Sequence, residues 1–188
     1  MSTPVPAGRA ARDTSPGLRV VVPLLIGAAV AVVLGAYGST HDPTGRAVAT
    51  FGFSGVLTMK VWLTTGALAL ALVQLGTALR MFGHLGTGAP PRWVASVHRG
   101  SGLVAVLLTL PVAFHCLWSL GFSTFTTRTT VHSLLGCTFY GAFVAKMLTL
   151  RMHRLPGWAL PVLGGLVFTT LVATWLTSAL WYFGTVGF

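Results

Sequence analysis

Two stretches decide how this chain is read: SVHRGSGLVAVLLTLPVAFHCLWSL, residues Ser96–Leu120, and TVHSLLGCTFYGAFVAKMLTLRM, residues Thr130–Met152. Each is apolar over the roughly 20 residues that a helix needs to cross the hydrocarbon core of a bilayer. Each also starts with a histidine, His98 in the first and His132 in the second, and each has another at or just past its finish, His115 and His153. The short connection between them favours an antiparallel pair. His115 then faces His132 at one membrane surface, and His98 comes level with His153 at the other. Opposed histidines on adjacent helices are what a bis-histidine haem requires. The first expectation is therefore a membrane b-type cytochrome.

Working outward, the composition agrees with a membrane class. The chain has 188 residues, 54% hydrophobic and 7% charged, with a mean hydropathy of +0.80. That excludes an ordinary soluble domain. Three more apolar segments bring the expected spans to five, at about 20–37, 61–82, 96–120, 130–152 and 158–183. The expected fold is thus all-α, a transmembrane bundle over residues 18–188, preceded by a polar, disordered tail over residues 1–17. A signal peptide is the rival reading of the first span, but its apolar run, Val20–Tyr37, is long for one and no clear cleavage site follows. Spans two to five are expected to form the bundle, with span one peripheral.

Orientation follows from the basic residues. With the N-terminus cytoplasmic, that side carries Arg9, Arg12, Arg19, Arg80, Arg92, Arg99, Lys146, Arg151 and Arg154, and the other carries Arg46, Lys60 and Arg128. This is a strong positive-inside bias. It places the chain in a bacterial cytoplasmic membrane, a source suggested by the excess of Arg over Lys and the wealth of Ala, Gly, Val and Leu. Trp62, Trp93, Trp118, Trp158 and Trp181 fall near span ends, as an interfacial belt would. The net charge of +10 does not suggest nucleic acid, because the bases punctuate helix ends and form no patch with stacking aromatics.

The chemistry-bearing residues are few. His115 lies about one turn before the end of span three, and His132 about one turn into span four, so both are candidate axial ligands of an outer haem. The bland alternative is a structural histidine bonded to a backbone carbonyl. Gly136 lies four residues after His132, and Gly102 four after His98, on the same helical faces. Such gaps suit a flat macrocycle, although small residues also serve helix packing. An inner site at His98 is less secure. His98 and His115 stand about 25 Å apart along a helix, and His153 falls at or beyond the hydrocarbon edge. His84 is an alternative partner for His98. Cys116 and Cys137 read as small buried hydrophobes, and their depths argue against a disulfide. Lys146 is expected to snorkel to the inner surface. His41 and Asp42 are adjacent and make no metal site. Phosphate loops, zinc-protease motifs and nucleophile elbows are absent. Asp13 and Asp42, the two acids, lie outside the spans, which disfavours carboxylate catalysis.

The string Ser96-Val97-His98-Arg99-Gly100-Ser101-Gly102 resembles the start of the first span in the large cytochrome b anchor subunit of succinate dehydrogenase. The resemblance covers some seven residues. It implies that Arg99 and Ser101 lie near a quinone or a haem propionate, with His98 beside them rather than on the iron. That anchor has three spans where this chain has five, and Ala95 stands where the family usually has Ser. The histidine-bearing helix pair is also similar in arrangement to the cytochrome b561 and ferric-reductase-like group, which holds two haems across the membrane.

Together these readings give an electron-transfer protein carrying one or two haems b, with a quinone as a further cofactor. Candidate haem ligands are His115 and His132, then His98 and His153. Expected partners are membrane lipid, a separate redox protein or the subunits of a membrane complex, and a second copy of the chain. The rivals are a haem-free accessory or assembly subunit and, third, a small transporter.

Overall fold

The computed structural model describes residues 16–187 of the chain. Residues 1–15, most of the expected tail, lie outside them, and Pro16 and Gly17 already belong to the first helix. Among the described residues every regular element is helical. They are α1 (Pro16–Thr40), α2 (Val56–Met81), α3 (Arg92–Phe114), α4 (Thr127–Thr149), α5 (Ala159–Trp175) and the short α6 (Trp181–Thr185). A π-helical stretch, His115–Leu120, continues α3, and another, Leu176–Leu180, joins α5 to α6. Five helical segments are long and apolar enough to cross a membrane. The protein is an all-α, multi-pass membrane protein whose outer surface contacts lipid.

Local chemistry sets the breaks. Gly121 ends the π-helical stretch after α3 at φ 69°, a left-handed conformation that favours glycine. Pro43 packs against it, 2.9 Å from where a Cβ would stand. Thr126 then opens α4 with a capping box. Its hydroxyl accepts from the Thr129 N–H at 3.2 Å, and the Thr129 hydroxyl accepts from the Thr126 N–H at 3.1 Å.

The order of the helices around the bundle differs from the order in the chain. α1 packs along α4, α4 along α5 and α2 along α3, while α2 meets α5 and α1 touches the π-helical end of α3. The five close a ring, α1–α4–α5–α2–α3. Two expectations are corrected by this. Span one is not peripheral: α1 lies in backbone contact with α4. A Cβ on Gly27 would lie 2.8 Å from the Ala145 methyl, and one on Gly141 would lie 2.9 Å from the Ala31 methyl. Paired glycines let membrane helices approach this closely, since apolar area alone gives no preference for protein over lipid. Spans three and four are not packed on each other. α3 and α4 are bridged by Tyr140, whose hydroxyl donates across the bundle to the Thr109 carbonyl at 2.9 Å.

Candidate functional site

The space between α3 and α4 is a cavity of about 470 Å³ lined by residues from all five membrane helices. That volume falls in the range of small-molecule and cofactor sites. Its wall is mostly apolar. Its polar groups are concentrated toward the end where α4 begins: Lys60 from α2, Cys116 from the end of α3, Arg128 and His132 from α4. Gly136 opens directly into it, with nothing within 4 Å of where a Cβ would stand.

Both π-helical stretches lie at this end, and they explain how its side chains are held. Widening a helix from i→i+4 to i→i+5 bonding shifts carbonyls out of register and leaves them for other donors. On the α5 side, the His132 Nδ1 lies 3.2 Å from the Thr174 carbonyl and 3.1 Å from the Thr177 hydroxyl oxygen. A carbonyl only accepts, so Nδ1 carries the proton and Nε2 the lone pair. His132 has Cys116 as its neighbour in the cavity, and Cys116 also interacts with Lys60. The Arg128 guanidinium donates to the Thr177 carbonyl at 2.6 Å. Its carbon sits 3.8 Å above the Trp181 ring, a cation–π contact.

On the α3 side the freed carbonyls face the loop between α1 and α2. Trp118 O accepts from Thr44 N–H at 3.3 Å, and Ser119 O from Gly45 N–H at 3.0 Å. His115 is part of this clasp and is 2% exposed. Its Nδ1–H donates to the Pro111 carbonyl at 2.7 Å, and its Nε2 accepts from the N–H groups of Val48 at 3.3 Å and Ala49 at 3.5 Å. Both ring nitrogens are therefore used. His115 faces the loop, while His132 faces the cavity and α5. The expected pair is not brought together, because the helices that carry it stand apart and His115 points away from the gap.

A family model for DUF6529, described as a family of unknown function, matches residues 20–188. The chain belongs to that family. No curated protein and no solved structure matches it.

The remaining sequence candidates of this DUF6529 chain are spread over the opposite end. His98 turns toward α2, where its Nδ1–H donates to the Thr77 hydroxyl oxygen at 2.8 Å. That assignment follows because the Thr77 hydroxyl proton is already given to the Val73 carbonyl at 2.8 Å. The Gln74 amide bonds the His98 carbonyl and the Ser101 hydroxyl at 2.9 Å. Gly102 makes room for that amide, whose oxygen lies 3.0 Å from where a Cβ would stand. Gly102 thus serves a packed side chain, where Gly136 opens into the cavity. Arg99 is exposed. His153 is an exposed residue of the turn after α4, and its carbonyl accepts from Arg19 of α1 at 3.3 Å. His98 and His153 therefore face different helices and form no pair. His84 lies exposed in the loop after α2.

Among the described residues no group of three or more His, Cys, Asp or Glu side chains is arranged to hold a metal ion, and Cys116 and Cys137 are both free thiols. Lys60, Arg128 and Tyr140 were not singled out by the sequence as site residues. Lys60 had a usable signal, being a lysine four residues inside an apolar span.

Proposed function

We propose that this protein is a membrane-embedded haem protein of b type. It transfers electrons within or across the bacterial cytoplasmic membrane, and the cavity between α3 and α4 is its haem site. The observation that carries this reading is His132. Its Nδ1–H is fixed on the Thr174 carbonyl, which leaves Nε2 as the ligand atom, in the way that a carbonyl partner on the other ring nitrogen orients metal-binding histidines.

Three further features fit the group. The cavity is of cofactor size and mostly apolar. Gly136, one turn beyond His132, leaves its side open. Lys60 and Arg128 at the rim supply the cations that propionates need, and there is no carboxylate in the lining to oppose them. His115 is spent on the loop amides, so the proposed attachment is through one histidine, as in globins and peroxidases. Cys116, which neighbours His132 in the cavity, must move aside for this to happen.

Haem supplies one-electron chemistry when bound. The chain's own residues hold its imidazole at a fixed angle, exclude water with apolar walls and balance its carboxylates. With the positive-inside orientation, the cavity lies toward the outer surface. Electron donors and acceptors are then separate proteins or a membrane quinone.

The test is a reduced-minus-oxidised visible spectrum with a pyridine haemochrome count on the detergent-purified chain made with ample haem. One b-type haem is expected in wild type and in His115→Gln, and none in His132→Ala. Loss of haem in His115→Gln with retention in His132→Ala would overturn the assignment of the ligand. A colourless wild-type protein that co-purifies with other membrane subunits would favour the haem-free accessory reading. The use of the buried His115 in holding a loop is the observation on the side of that rival.

A further inference from the structure

Arg128 and His132 stand one turn apart on α4, on the same face of the helix, and both line the cavity. A single residue behind the cavity wall holds the two of them. The Thr177 carbonyl accepts from the Arg128 guanidinium at 2.6 Å, and the Thr177 hydroxyl oxygen lies 3.1 Å from the His132 Nδ1. Thr177 belongs to the π-helical stretch Leu176–Leu180 and is not itself part of the cavity lining.

Both contacts follow from the local backbone. In a regular α-helix the Trp181 N–H would bond the Thr177 carbonyl. Here it turns to the Ser178 carbonyl, which leaves the Thr177 carbonyl to the guanidinium. The Thr177 hydroxyl proton points back to the Ala173 and Thr174 carbonyls, at 2.9 and 3.0 Å. Its oxygen is therefore an acceptor on the His132 side, and the Nδ1–H is shared between that oxygen and the Thr174 carbonyl, 3.2 Å away. Donation to the preceding turn is common for threonine in membrane helices, and Thr170 and Thr174 do the same. Thr177 differs from them in holding α4 by its hydroxyl oxygen and its carbonyl together.

We propose that Thr177 is the positioning residue of this site. It fixes the His132 ring and the Arg128 guanidinium relative to each other, and its hydroxyl oxygen tunes the ring as a ligand. An acceptor on Nδ1–H makes an imidazole a stronger electron donor through Nε2. That favours oxidised over reduced iron and lowers the potential. The effect on iron rests on the cavity being the haem site, whereas the hold on the two side chains does not.

The test compares Thr177→Val, Thr177→Ser and Thr170→Val with wild type, all as the full chain and all shown by a thermal scan to fold. The first readout is nitrogen and proton NMR of haem-free protein made with isotope-labelled histidine, with His132 assigned by the loss of its signals in His132→Gln. The Nδ1–H proton is expected to move to higher field in Thr177→Val and to stay in place in Thr177→Ser and Thr170→Val. The second is the loaded protein. Thr177→Val is expected to bind haem about tenfold more weakly, the low end of what loss of an outer partner costs a metal site because the Thr174 carbonyl remains. Its midpoint potential is expected to rise, and the other two variants to match wild type. Identical His132 signals in wild type and in folded Thr177→Val would overturn the proposal. So would equal shifts in Thr177→Val and Thr170→Val, which would mark a general loosening of α5. A wild type that takes up no haem yet shows the NMR shift would overturn the haem reading and support the hold on His132. A loaded protein whose affinity and midpoint are the same in every variant would overturn the role of Thr177 toward iron and leave the haem reading standing.

Discussion

Two glycines five residues apart on α4 should respond oppositely to one substitution, valine. At Gly141 a Cβ would stand 2.5 Å from the Gly27 carbonyl oxygen and 2.9 Å from the Ala31 methyl. Ordinary contact between carbons begins at about 3.5 Å, so α1 must retreat from α4 by roughly 0.6–1 Å, and a gap of that size forfeits about a quarter to a half of each contact it opens. Overpacking of this kind costs about 1–3 kcal/mol. Valine and glycine differ by only a few tenths of a kcal/mol in helix propensity, so backbone preference does not offset the clash. For a chain of this length each kcal/mol moves the midpoint by about 2–4 °C, which puts Gly141→Val lower by ~2–12 °C. Gly136→Val is the matched control, because nothing lies within 4 Å of the added Cβ and the branches enter the cavity. Its midpoint should stay within about 2 °C of wild type in haem-free protein. The assay is a thermal scan of the detergent-purified variants followed by tryptophan fluorescence. Equal shifts for the two valines would refute the close-approach argument. If the cavity holds haem as proposed, Gly136→Val should lose it at unchanged apoprotein stability, because the valine branches fill the space Gly136 leaves open.

His115→Gln should release the loop after α1 rather than the cofactor. The Val48 and Ala49 amides lose their acceptor, so their hydrogen exchange should quicken at least tenfold, and stability should fall by about 1–3 kcal/mol. Arg128→Ala removes a charged hydrogen bond and a cation–π contact. It should cost ~1–3 kcal/mol and shift the emission of Trp181, and an unchanged emission spectrum would show that the ring does not sense the guanidinium. Thiol titration of unfolded protein under non-reducing conditions should count two free cysteines, Cys116 and Cys137. A count of zero would mean that the bundle rearranges enough to join them.

The membrane class, the five spans and their breaks were legible in the sequence because each depends on local properties. Hydropathy over some 20 residues, and the Pro and Gly between spans, require no partner; the capping box at Thr126, which starts α4 earlier than the apolar run suggests, was seen only in the structure. That His115 and His132 need hydrogen-bond partners was also legible, since a titratable group inside an apolar segment is costly wherever it points.

What the sequence by itself determined was therefore which segments cross the membrane. The tertiary structure decided which of them touch. In lipid, the faces that meet a neighbouring helix and those that meet acyl chains are alike apolar, so the pattern of residues does not announce a partner. Chain order suggested that α3 packs on α4, and the paired glycines 27 and 141 seated α1 there instead. The rotation of each helix then fixed which nitrogen of each histidine is used and toward what. His132 faces a cavity because α3 stands away from α4. His115 faces a loop because the π-helical widening after Phe114 frees the Trp118 and Ser119 carbonyls to draw that loop against it.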